Sequence, residues 1–123
     1  MAAIRFASVS LDCDDPVTLG AFWAALLEGE VAFSSEEFVA VKLAHQWLSA
    51  VRVADYVAPT WPSAEVAKQI HLDLAVDDLA GATATAISLG ARRAAHQPAE
   101  DRYVVLLDPA GHPFCLTTQI PED

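Results

Sequence analysis

Basic residues are scarce in this chain: seven Lys and Arg stand against 17 Asp and Glu, a formal charge of −10 with histidines neutral. So acidic a surface repels phosphate backbones and anionic headgroups, which argues against nucleic acid and membrane surfaces as partners. Long apolar runs are missing as well. The longest stretches free of Asp, Glu, Lys and Arg, Leu79–Ala91 and Pro109–Pro121, are 13 residues each, whereas a transmembrane helix needs about 20 apolar residues. Cysteine is nearly absent, and Cys13 with Cys115 cannot build a disulfide framework; they read as reduced thiols. The first 15 residues offer Arg5 but no apolar segment ahead of the acids Asp12, Asp14 and Asp15, so no signal peptide is expected. Walker loop, Gly-rich dinucleotide fingerprint, C-x-x-C pair and nucleophile elbow are all lacking. The expectation is a cytoplasmic, acidic, single domain.

What is present suffices for a core. Hydrophobic residues make up 54% of 123, and a chain of that length buries roughly two-thirds of its unfolded surface. Phe6–Asp12 alternates like a strand and runs into Asp14-Asp15-Pro16, with Asp15 as N-cap and Pro16 at the first helical position. Leu19, Phe22, Trp23, Leu26 and Leu27 then recur at helical spacing, and Gly29 marks the stop. Val31–Phe33, Phe38–Leu43 and Trp47–Val53 read as strands. The segment of about 56–68, with Pro59 and Pro62 flanking Trp61, reads as a linker. After it the pattern begins again. Ile70–Val76 is a strand, Asp77-Asp78 a cap, Leu79–Leu89 a helix with Gly90 after it, and Ala91–Ala95 a strand. Tyr103–Leu107 and Phe114–Thr118 form a hairpin around Asp108-Pro109-Ala110-Gly111-His112-Pro113.

Placing Asp15 on Asp78, an offset of 63, brings Leu11 onto Leu74, Asp14 onto Asp77 and Ser8 onto His71. The order of strand, double Asp, helix and hairpin matches between halves, so the chain reads as two tandem β-α-β-β-β modules, about 4–55 and about 69–120, an α+β fold.

Leu11-Asp12-Cys13-Asp14-Asp15-Pro16 with Ala21–Leu27, His71–Leu79, and Asp108-Pro109-Ala110-Gly111-His112-Pro113-Phe114-Cys115-Leu116 resemble the glyoxalase/bleomycin-resistance/dioxygenase (vicinal oxygen chelate) superfamily, its glyoxalase-like domain branch above all. The resemblance implies paired modules forming a cupped mixed sheet around a cavity, and a homodimer. Its metal-using members chelate a divalent ion from the first and last strand of each module. Those positions fall here on Ser8, Val51, His71 and Cys115. Only His71 is a good donor for a hard ion, whereas an iron, manganese or nickel centre needs three or four N/O donors. The chain is therefore expected to lack the usual metal centre and to carry no resident cofactor.

Strand alternation puts Asp73 on the face of His71, and puts Ser8, Ser10 and Asp12 on one face of the first strand. A face so polar is costly in a sealed core and should line a wet cavity, with Val51 and Cys115 as further wall residues. The bland alternative is that these groups simply satisfy one another. If His71 lies beside Cys115, the imidazole would favour a thiolate nucleophile, while the pair alone would hold a soft metal only weakly; equally, Cys115 is a small residue that packs as a hydrophobe. Trp23 fits the helix stripe and reads as core. Trp47 and Trp61 are not explained by periodicity and suit the wall of a flat ligand, a dimer seam or plain packing. His45, His96 and His112 read as solvent-facing. The reading is a small-organic-molecule-binding protein; the alternative is a lyase, isomerase or dioxygenase-type enzyme using His71 with Asp73 or Cys115.

Overall fold

The computed structural model describes residues 3–121, which divide into two compact units between Tyr56 and Val57. The first unit contains β1 (Ser8–Cys13), α1 (Pro16–Leu26), β2 (Glu30–Ser34), β3 (Phe38–Lys42) and β4 (Trp47–Arg52). Its sheet order is β1-β4-β3-β2, with β1 and β4 parallel and the other pairs antiparallel. The second unit contains β5 (Leu72–Ala75), α2 (Leu79–Leu89), β6 (Arg92–Arg93), β7 (Tyr103–Leu107) and β8 (Pro113–Thr117), in the equivalent order β5-β8-β7-β6. The β-α-β-β-β duplication is thus a property of the fold.

Both helices start alike. Asp15 accepts a hydrogen bond from the Thr18 N–H and Asp78 one from the Gly81 N–H, each filling the side-chain role of an N-cap. They end differently. Gly90 closes α2 with φ 127°, as its lack of a Cβ allows. At the end of α1 the left-handed residue is Glu28 (φ 54°), and Gly29 is needed for another reason. A Cβ there would stand 2.7 Å from Leu43 Cδ2 and 2.8 Å from the Lys42 carbonyl oxygen, against the end of β3.

In the first unit Leu19, Phe22 and Trp23 of α1 are buried together with Leu11, Val39, Val41, Leu48 and Ala50 of the sheet. Trp23 is core, its ring edge-on to Phe22 with centroids 5.2 Å apart. In the second unit α2 buries only Thr83 and Ala86, and the main apolar mass sits in Val104, Leu106, Phe114 and Leu116 of the sheet.

Strand limits differ from the sequence expectation, by a residue at most ends and by more at some. β1 begins at Ser8 because β4 begins opposite it, at Trp47, and Phe6 lies beyond that end and exposed. β5 is shorter than Ile70–Val76 and leaves His71 just outside the ladder. The strand expected over Ala91–Ala95 shrinks to Arg92–Arg93 because the Gln97 amide takes over the edge of β7: it donates to the Ala94 and Val105 carbonyls and accepts from the Val105 N–H. β8 starts at Pro113, where a strand's first residue can forgo its N–H. The segment expected as a linker has structure of its own: the Thr60 N–H donates to the Val66 carbonyl at 2.8 Å, and the Thr60 hydroxyl accepts from the Val66 N–H at 2.9 Å.

Candidate functional site

The site grows from one register. β5 and β8 run parallel with Asp73 opposite Cys115 and Leu74 opposite Leu116. Alternation then separates the strands into two faces. Leu116 is buried and Leu74 half-buried on one; His71, Asp73, Cys115 and Thr117 belong to the other. β7 adds Tyr103 opposite Thr117 and Val105 opposite Cys115. The β7–β8 turn is held by the buried Asp108 carboxylate, which accepts from the Ala110 and His112 N–H groups at 2.9 Å each, with Gly111 at φ 89°. His112 is accordingly half-buried rather than solvent-facing.

On this face lies a cavity of about 280 Å³, its walls including Trp61, Lys68, Pro98, Tyr103 and Pro113 around His71, Asp73 and Cys115. His71 Nε2 is 3.2 Å from Asp73 Oδ1. The donor atoms of His71, Asp73 and Cys115 all lie within 4.8 Å of one another. Trp61 is half-buried and packs its ring on His96 with centroids 5.5 Å apart. The Cys115 thiol is pushed up to about 11, first by burial, then by the charge of Asp73 and by the hydrogen bond to that carboxylate; the Lys68 ammonium opposes these more weakly. A thiol so held is protonated at neutral pH and is a poor nucleophile. The neighbouring imidazole does not make Cys115 a thiolate: burial first, and the Asp73 carboxylate after it, hold the thiol in its neutral form.

Of the residues expected to form a cavity, His71, Asp73, Cys115 and Trp61 are brought together in the second unit. Ser8, Ser10, Val51 and Trp47 share a face of the first sheet, with Ser8 opposite Trp47, Ser10 opposite Ser49 and Asp12 opposite Val51. Since Ser10 is the counterpart of Asp73, the counterpart of Cys115 is Ser49 and not Val51. Two residues apart on one strand, both lie on the same face, so alternation alone does not distinguish them. Tyr103, Val105 and Thr117 were within reach of the same alternation, read outward from Cys115. Lys68 was not, because it lies in an irregular segment with no period to follow.

The profile of the glyoxalase-like domain family matches residues 8–117. The chain belongs to this family. No curated protein matches it closely enough to count as a relative. Among solved structures, this glyoxalase-like domain is similar to the fosfomycin resistance protein FosX from Mesorhizobium loti, with TM-score 0.70, 11% identity, and 97% of this chain and 94% of that one covered. A mutant FosX from Listeria monocytogenes, complexed with Mn(II) and 1S,2S-dihydroxypropylphosphonic acid, gives TM-score 0.69 at 17% identity over 98% and 93% of the two chains. The bleomycin-binding protein of Streptomyces verticillus, complexed with copper(II)-bleomycin, gives 0.60 at 19% identity over 98% and 100%. At these identities the likeness is one of fold.

The metal centre that the family implies does not fit these residues. The four positions carry one imidazole, one protonated thiol, the Ser8 hydroxyl and either Val51 or, by register, Ser49. That set lacks the N/O donors of a hard divalent ion.

A titration checks the electrostatics of the site. In metal-free protein, thiolate absorbance of Cys115 should rise only near pH 11, and alkylation at pH 8 should be slow. Asp73→Asn removes both the charge and the ionic acceptor, so it should move the titration to lower pH and quicken alkylation. An ordinary thiol titration in the unchanged protein would contradict this assignment.

Proposed function

We propose that this glyoxalase-like domain binds a small organic molecule in the cavity of its second unit, without the usual hard-metal centre. The observation that carries the reading is the cavity's composition. Trp61, Tyr103, Pro98 and Pro113 supply flat or apolar wall, while His71, Asp73, Lys68 and Thr117 supply a few polar groups. Apolar walls with a few convergent polar groups are what small-ligand sites share, and about 280 Å³ lies just below their usual range of roughly 300–1,000 Å³. The bleomycin-binding neighbour, complexed with copper(II)-bleomycin, supports the class of function.

The His71–Asp73 contact favours a second reading, a lyase or isomerase in which the carboxylate orients the imidazole as a base. A dioxygenase finds less support, because the hard-ion donors it uses are missing. In the first reading His71 is an anchor, so losing it weakens binding; in the second it leaves binding and abolishes turnover.

A thermal-shift and calorimetric screen of small aromatic and heteroaromatic compounds, run with chelator present, tests the proposal. His71→Ala should weaken a hit by about 1–2 kcal/mol, the scale of one lost hydrogen bond. Trp61→Ala should weaken it by a similar amount through lost aromatic contact. Hits indifferent to both substitutions would overturn the assignment of the cavity.

The same reading includes pairing of chains. Val31, Phe33 and Phe38 are exposed on β2 and β3, with the two phenylalanine rings 6.1 Å apart. Apolar surface of this kind is covered in stable assemblies. Light scattering should give about 26 kDa, twice the 13.1 kDa of one chain; a monomer at tens of micromolar would refute the homodimer.

A further inference from the structure

The cavity of the second unit holds hydrogen-bond donors that the protein itself does not use. Lys68 reaches it from the irregular chain before β5 and is half-buried there. Among the described residues it is the one Lys or Arg in the cavity wall. Three ion pairs form among those residues, Arg52–Glu37, His71–Asp73 and Arg93–Glu100, and none includes Lys68. Its ammonium therefore has no described carboxylate at contact distance, Asp73 included. The Trp61 indole N–H and the Tyr103 hydroxyl line the same space, and no described residue accepts a hydrogen bond from either.

The acceptors of the wall are placed differently. The Asp73 carboxylate takes the His71 Nε2 at 3.2 Å and the hydrogen bond of the Cys115 thiol. The Thr117 hydroxyl accepts from the Gln119 N–H at 3.0 Å and donates to the Arg102 carbonyl at 3.3 Å. An entering molecule thus meets free donors, one of them charged, and acceptors that are already engaged.

We propose that the molecule held here is a small aromatic carboxylate, with Lys68 as the residue that selects its negative charge. This rests on the binding function proposed above and names the ligand class of the same cavity. A half-buried ammonium has given up part of its hydration, and a ligand carboxylate replaces it with a charge-assisted hydrogen bond. A carboxylate has lone pairs to spare, so a second wall donor can share it. The ring of the ligand belongs against Trp61, Tyr103 and Pro98. Trp61 is already set by its packing on His96, with ring centroids 5.5 Å apart, so that wall needs little ordering when a ligand enters. A volume of about 280 Å³ suits a single substituted ring. Asp73 with two aromatic side chains would by itself suit a cation, but its oxygens are committed and the Lys68 ammonium is not. The formal charge of −10 opposes an approaching anion. Salt screens that charge beyond about 8 Å, so inside the cavity the nearest group decides.

Benzoate, benzamide and benzamidine test the selection, because they share one planar shape and are negative, neutral and positive at neutral pH. Each is titrated into untagged protein with chelator present, and NMR follows the Trp61 indole N–H. Benzoate should bind about tenfold or more tighter than benzamide, the worth of one hydrogen bond to a charged group, and benzamidine should bind weakest. Lys68→Met keeps the apolar stem and removes the charge, so it should bring benzoate down to the affinity of benzamide. Lys68→Arg should retain the preference. Circular dichroism of each variant separates loss of the charge from loss of the fold. Equal binding of benzoate and benzamide, a preference that survives Lys68→Met, or tightest binding by benzamidine would overturn the proposal. In each of those cases a molecule still occupies the cavity, so the binding function stands. Failure of all three to bind at tens of millimolar also overturns it; the binding function is then judged separately, by whether hits of the wider screen depend on His71 and Trp61.

Discussion

The parallel pairing of β5 with β8 is what the chemistry of this molecule rests on. It sets Asp73 against Cys115, and alternation does the rest: Leu116 turns into the core with Leu74 beside it, while imidazole, carboxylate and thiol turn to the cavity. Shifting the register by one residue would exchange the faces, burying a carboxylate and exposing leucines, which is strongly unfavourable on both counts. Polar groups at the site are therefore held by the same apolar contacts that hold the unit together.

Within the cavity the carboxylate has the central role. Asp73 meets His71 at 3.2 Å and keeps the Cys115 proton in place through charge and hydrogen bonding. The carboxylate adds to burial in keeping the thiol neutral. A cysteine beside a histidine need not be a nucleophile where burial and a neighbouring carboxylate both favour its neutral form.

Much of the fold was legible in the chain because it was written twice. Two Asp N-caps, two helices of the same length and two closing hairpins gave redundant signals, and the structure repeats them as sheets of identical order. Faces of strands were legible too, since they need only a period of two. Register was harder. The first strands match at an offset of 63, from Ser10 to Asp73, but the last strands match at 66, from Ser49 to Cys115, so the second repeat gains three residues before its last strand. A constant offset misses such insertions: at 63 it sets Cys115 on Arg52, whereas the strand register sets it on Ser49. Strand ends were obscured for a related reason: beyond the Ala94 N–H bond to the Val105 carbonyl, the Gln97 amide takes the Val105 N–H at the edge of β7, and no propensity reports a side chain acting as a strand.

The central claim, that His71 belongs to a solvent-facing wall and Leu116 to the core on the opposite face of the same paired strands, is tested most directly by urea unfolding of the two alanine variants in chelator. His71→Ala should cost within about 1 kcal/mol, as exposed positions do. Leu116→Ala, at a residue 1% exposed, should cost about 2–5 kcal/mol through lost burial and the void left behind. A larger loss at His71 than at Leu116 would mean that the faces are reversed, and the cavity with its polar anchors would be wrongly placed.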